Sequence, residues 1–216
     1  FLQVALLLFS ENYWVNNYSL AYSLYFEYCE ITYLTGNLDL SIQTILDIIP
    51  KCTTNIDIGK FFNLLLIIYS VQGNFEESYR IMIRSVKMFG IDIEGEDSNK
   101  IFLEEVEKIK YKLKNKSYSD LLNLPLNVDL TQELISTTLI NSTATTYQYA
   151  PHLFPFIAAK GVNIYLEYGN MKDSYGYALY GLILGSVFND YKGCYDCMQL
   201  CYDISVKYNN ISSKAK

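Results

Sequence analysis

The sequence predicts an all-α chain, an α-α superhelix of about ten antiparallel helices stacked as hairpins, and three observations carry that prediction. Half of the 216 residues are apolar, enough to bury an ordinary core as one domain or one continuous repeat array, which speaks against disorder as the main state. Only four prolines and eleven glycines punctuate this length, whereas an all-β sandwich or barrel needs turn residues every ten or so positions. A short phrase also recurs between apolar runs: Gly36-Asn-Leu-Asp-Leu-Ser41, Gly73-Asn-Phe-Glu-Glu-Ser78 and Gly169-Asn-Met-Lys-Asp-Ser174, with a degenerate copy at Asn189-Asp-Tyr-Lys-Gly-Cys194.

Each copy reads as a helix end followed at once by a new helix. Glycine, or asparagine in the last copy, takes the left-handed conformation that stops the first helix. The apolar residue two positions after the glycine packs the turn. The small Ser or Cys five positions on lets the second helix approach the first closely, because a larger side chain would hold the axes apart. Gly36 and Gly73 lie 37 residues apart, close to the roughly 34-residue period of a tetratricopeptide unit.

In chain order, the opening 1–9 run has the apolar look of a signal segment. It lacks an initiator Met, a basic flank and a small-residue cleavage site, and reads instead as a helix whose upstream part is missing. The first unit is expected as helices over 18–35 and 38–49, the latter stopped by Pro50. The second is expected over 58–72 and 75–89. Residues 90–97 form a loop, and an amphipathic helix follows with Phe102, Val106, Ile109 and Leu113 on one face and Glu104 spaced to pair with Lys108. Residues 118–125 are a polar connector. Asp129, with Gln132 three positions on, has the form of a capping box opening a helix to about 149. Pro151 starts the next helix, which ends at Gly169. Two more run over 173–188 and 193–208. The expected organisation is therefore a single 1–216 segment of a longer protein: two regular hairpins (1–90), an insertion helix and connector (91–128), irregular hairpins (129–209) and a tail (210–216).

Several stretches together carry a more specific likeness: the run from Trp14 to Asn37, Tyr69-Ser-Val-Gln-Gly-Asn-Phe-Glu-Glu-Ser78, Asp120-Leu-Leu-Asn-Leu-Pro125, Leu166-Glu-Tyr-Gly-Asn170 and Tyr177-Ala-Leu-Tyr-Gly-Leu182. In this order they resemble the tetratricopeptide-like helical region of very large multidomain signalling proteins. In that family an AAA-like or STAND-type ATPase, often preceded by a serine/threonine protein kinase domain, is followed by such a region and then commonly by GAF and histidine-kinase domains. The resemblance implies a cytoplasmic place within a longer polypeptide, with ATP and Mg bound elsewhere in the parent, and no chemistry for these residues. The sequence departs from the family in carrying Ile45 and Ile48 where small side chains are usual.

Charge and motifs point the same way. Seventeen basic against 23 acidic residues, net −6, give no basic face for nucleic-acid phosphates and no polybasic run for anionic lipids. The longest uncharged apolar stretch, 174–189, is shorter than the roughly 20 residues that span a bilayer. Five cysteines, three of them bunched in one helical stretch, suit a reducing compartment better than a disulfide framework. The Asn-x-Ser/Thr sequons at Asn17, Asn141 and Asn210 match chance in so Asn-, Ser- and Thr-rich a chain.

Cys194, Cys197 and Cys201 share one helical face, a spacing that could hold zinc or an iron-sulfur cluster. With no second ligand pair, and with Cys194 and Cys201 at tight-packing positions, they read as small buried hydrophobes. The single histidine, His152, reads as a helix-terminal surface residue, and Gly59-Lys60 as a phosphate-loop fragment without its remaining parts. No catalytic, cofactor or metal residue is therefore expected in this segment. The expected partner is a protein, a peptide or another domain of the same polypeptide, met on a concave face of the first helices of each hairpin by Ser23, Glu30, Lys60 and Asn63. The alternatives are a stand-alone peptide-binding adaptor and a small helical metal protein or enzyme using the cysteine triplet.

Overall fold

The computed structural model describes residues 12–210; the opening 1–9 run and most of the polar tail lie outside them. Among the described residues the chain is all-α. Twelve α-helices are present: α1 (Asn12–Asn16), α2 (Tyr18–Leu34), α3 (Leu38–Ile48), α4 (Asn55–Val71), α5 (Phe75–Met88), α6 (Ser98–Leu113), α7 (Tyr118–Leu122), α8 (Leu130–Asn141), α9 (Thr143–Tyr149), α10 (Phe154–Tyr168), α11 (Tyr175–Val187) and α12 (Tyr191–Lys207). Short 3-10 turns at Ile49–Lys51 and Pro151–Leu153 punctuate them at Pro50 and Pro151.

The first two Gly-Asn corners are built alike. Gly36 and Gly73 sit at φ 83° and 72°, left-handed values that a Cβ would oppose. Asn37 N–H reaches back to the Thr32 carbonyl and Asn74 N–H to that of Tyr69, closing the helix ends with bonds that lie within a few residues. Ser41 Oγ then donates to the Cys29 carbonyl at 2.8 Å, and Ser78 Oγ to that of Leu66 at 3.1 Å. The small serine thus both admits the close approach and ties the second helix to the first. At the degenerate copy, Asn189 takes the left-handed conformation (φ 55°) in place of glycine, Asp190 caps α12, and Cys194 stands where the serines stand in α3 and α5.

The third copy does something else. Gly169 has φ 102° and ψ 171°, an extended left-sided geometry, and does not turn the chain directly into a second helix. A Cβ there would lie 2.3 Å from the Pro125 carbonyl oxygen. Asn170 N–H donates to that oxygen and the Asn170 carbonyl accepts from Asn127 N–H, both at 2.8 Å, next to an isolated parallel bridge between Leu126 and Asn170. The Asn170 side chain, fully buried, donates to the Leu121 carbonyl and accepts from the Tyr177 hydroxyl. The expected hairpin corner is thus a clasp that holds the 121–127 connector. The connector itself contains a short helix, α7, opened by a capping box between Ser117 and Asp120.

The helix expected from Asp129 to about 149 is broken at Ser142. Asp129 does cap its start, accepting from Thr131 and Gln132 N–H. Around the break, Ser142, Thr143 and Thr146 hydroxyls all bond back to carbonyls of the preceding turn, an arrangement that weakens and bends a helix.

One hydrophobic core runs through the described helices. α4 is its centre: Phe61, Leu65, Leu66 and Ile68 are fully buried between α2, α3, α5 and α8. Ile45 and Ile48 are buried as well, so these larger side chains are accommodated inside the first hairpin interface. The insertion helix α6 buries Phe102, Val106 and Ile109 against α10. α11 and α12 pack closely: a Cβ added at Gly181 would sit 3.0 Å from the Cys194 carbonyl oxygen and 3.2 Å from Cys197 Cβ. Tyr165, fully buried, bridges three helices, accepting from Ser136 Oγ and Gly176 N–H and donating to the Asp173 carbonyl.

Candidate interaction sites

Of the residues expected to meet a partner, three are exposed and one is buried. Ser23 and Glu30 are exposed on α2, and Lys60 is exposed on α4. Asn63 is only 7 % exposed, because α8 returns across the face of α4 that a regular array would leave concave. Its amide donates to Thr138 Oγ1 at 2.8 Å and accepts from the Asn141 amide at 3.1 Å, so it serves internal packing. Gly59 marks the same crossing: a Cβ there would lie 2.5 Å from Leu134 Cδ2, which accounts for a glycine before Lys60 without any phosphate.

The cysteine triplet divides between packing partners. Cys194 lies over Gly185 and Cys197 over Gly181, while Cys201 is buried and receives the Ser174 hydroxyl at 3.7 Å. Burial pushes the Cys197 thiol up to about 12, which keeps it protonated at neutral pH and a poor nucleophile or metal ligand. His152 is exposed in the 3-10 turn before α10, as expected.

An apolar groove of about 490 Å³ opens between the insertion helix and the last hairpin. Val106, Ile109 and Leu113 of α6 form one wall, Tyr177, Tyr180 and Leu184 of α11 the other, with Cys197 and Leu200 of α12 and Val162 of α10 at the floor. Leu121 and Tyr118 of α7 close one end, where the Tyr118 hydroxyl donates to Asp203 at 2.6 Å. Lys110 and Lys116 stand at the mouth on the α6 side, Asp190 and Asp196 on the α12 side. Burial raises Tyr180 to about 12, so its phenol stays neutral in the groove. The volume lies within the range of ligand pockets, and the chemistry is that of a site for apolar side chains with charges of both signs at its rim.

A second, polar recess lies between α6, α8 and α10. Glu105 is almost fully buried there, contacted by Lys108 at 2.6 Å and Lys160 at 3.6 Å, while Asn163 donates to its carboxylate and its carbonyl at 2.8 Å each. Lys108 thus pairs with Glu105 and not with Glu104, the i,i+4 partner expected from spacing; the insertion helix has turned Glu105 inward onto α10. Lys112 bridges to Glu167 at 2.8 Å and holds that carboxyl below the usual glutamate range. Nothing in the sequence marked Glu105 as buried, since its position is flanked by the charged face of an amphipathic helix. The groove was likewise outside the reach of local signals, because its walls lie far apart in sequence.

Among the described residues, no helix is long and apolar enough to cross a membrane. Set against known proteins, the chain matches no family model, no curated protein and no solved structure.

Proposed function

We propose that this chain is a non-enzymatic helical-repeat scaffold that binds a protein segment, and that it works in the cytoplasm within a larger ATPase or kinase signalling protein. The observation that carries the binding half is the groove between α6 and the α11–α12 hairpin. The ligand it suits is an amphipathic peptide segment, from a partner or from another domain of the same polypeptide. Its large apolar side chains enter between Leu113 and Leu184, which are half-buried, above the buried Ile109 and Tyr180, and its polar residues stay with the lysines and aspartates at the mouth. Because the groove is walled by elements from both sides of the 114–129 connector, an occupant bears on their relative position. Occupancy can thereby bias an attached domain between two states by differential contact. The placement in a larger signalling protein rests on the sequence resemblance alone.

Peptides selected from a displayed random library test the binding half. They are expected to carry large apolar residues at helical spacing, and to lose at least about tenfold in affinity, ~1.4 kcal/mol, on Leu184→Glu. Val71→Glu, a change at an exposed position outside the groove, is expected to leave binding intact. Equal binding to both variants would remove the groove from the reading. Flanking coding sequence without an ATPase or kinase domain would remove the larger setting, and metal found in purified wild-type protein but absent from Cys197→Ser would favour the metal-protein alternative.

A further inference from the structure

Helix α2 turns its core side, with Ala21, Cys29 and Thr32, onto α3 and α4, and leaves a second ordered face to solvent. On that face Leu20, Leu24, Glu27, Ile31 and Leu34 follow one another at steps of four, three, four and three, the heptad spacing of a coiled-coil seam. Leu20, Ile31 and Leu34 are 53 %, 44 % and 75 % exposed, and Leu24 is half-buried. Isolated exposed leucines are ordinary, but here four aliphatic side chains share one seam of a 17-residue helix, two on each side of Glu27.

The charges carried by α2 itself have one sign. Glu27 occupies the central seam position and Glu30 flanks it, and neither forms an ion pair among the described residues. Between residues 12 and 51 the other charges are Asp39, Asp47 and Lys51, and Lys51 lies over the Trp14 ring. Partial burial, reinforced by the neighbouring Glu27, raises the Glu30 carboxyl above its ordinary range, as expected for acids that share a surface without a cation. A second copy of this chain is a poor occupant, since pairing two such seams about a two-fold axis, parallel or antiparallel, brings Glu27 against Glu27.

We propose that the solvent face of α2 is a docking seam for a helix of another polypeptide, one that carries its own heptad of aliphatic residues and a Lys or Arg opposite Glu27. Glu27 then acts as the register and specificity element of the pair. It weakens the seam for apolar or acidic helices and for self-association, and rewards a basic one. This seam and the groove share no residues, so the failure of either leaves the other standing.

The test uses a fluorescent synthetic helix of about 21 residues, three heptads with Leu and Ile on the seam and Lys at its centre, and a twin with Glu at that centre. Binding to the whole chain is followed by anisotropy. The Lys peptide is expected to bind at least about tenfold tighter than the Glu twin at low salt, with the gap narrowing as salt rises. Glu27→Lys in the chain is expected to reverse the preference, and Ile31→Asp to abolish binding of both peptides with the helical circular dichroism unchanged. Glu27 is exposed, so its variant gives an answer even should Ile31→Asp disturb folding. In sedimentation the wild-type chain is expected to show no association through this face, and Glu27→Leu to dimerise. Equal binding of the two peptides, no binding of either, or a wild-type dimer that Ile31→Asp dissociates would each overturn the proposal.

Discussion

Replacing Gly169 by alanine is expected to destabilise the fold far more than the same change at Gly36, although the two glycines open the same sequence phrase. At Gly36 (φ 83°) no atom lies within 4 Å of an added Cβ, so the cost is the left-handed backbone alone, about 1–2 kcal/mol. At Gly169 (φ 102°) the backbone cost is of similar size, roughly 1–3 kcal/mol, but the Cβ also lies 2.3 Å from the Pro125 carbonyl oxygen. Relief requires the connector to move. That breaks the two 2.8 Å backbone bonds between Asn170 and the Pro125–Asn127 segment, each worth about 1 kcal/mol net. The expected total for Gly169→Ala is therefore about 3–5 kcal/mol, a further 2 kcal/mol or more than at Gly36. Urea unfolding of both variants by circular dichroism at 222 nm measures the difference. Equal losses at the two positions would refute the clasp between connector and α10.

Three further outcomes are expected. Ser78→Ala should cost about 1–3 kcal/mol, because Ser78 joins the Leu66 carbonyl and Thr145 in a buried network, whereas Ser41→Ala should cost nearer 1 kcal/mol because Ser41 makes a single side-chain bond among the described residues, to the Cys29 carbonyl; paired unfolding curves compare them. Tyr165→Phe should lower stability by about 1–3 kcal/mol and raise amide exchange at Gly176, whose N–H bonds to the Tyr165 hydroxyl; unchanged exchange there would refute the bridge. The Glu167 carboxyl, held down by Lys112, contributes stability above the ordinary glutamate pKa that is lost as pH falls through its depressed value. The pair is half exposed and screened, so the effect is below about 1 kcal/mol, and Lys112→Met should flatten that limb of the stability–pH curve.

What the sequence made legible is what depends on near neighbours. The corners at Gly36 and Gly73 are closed by bonds within six residues, and Asp129 caps its own first turn, so their residue types suffice to place them. Phe61 to Tyr69 and Tyr177 to Val187 are helical, as their apolar content and periodicity imply. Gly169-Asn170 uses the same residues as the other corners, but the backbone partners of Asn170 are 43 and 45 residues earlier in the chain, and only the docked connector decides between corner and clasp. The break at Ser142 was marked by a cluster of Ser and Thr that competes with the helix backbone, a signal outweighed in sequence by the capping pattern before it. Asn63 and Glu105 look like surface residues on their own helices and are buried by α8 and α10, which arrive from the far side of the insertion. The groove comes from that same long-range docking of α6 onto α10, and no local pattern in α6, α11 or α12 encodes it.

Amide hydrogen exchange of the whole chain, with and without a library-selected peptide, bears most directly on the proposal that this scaffold binds a segment in its groove. Slowed exchange confined to the segments that line the groove, 106–121 across α6, its exit and α7, the turn of α10 around Val162, 177–188 of α11 and its C-terminal end, and 193–200 of α12, is the expected result. Protection elsewhere in the array, or a bound peptide that leaves these segments unchanged, would contradict it.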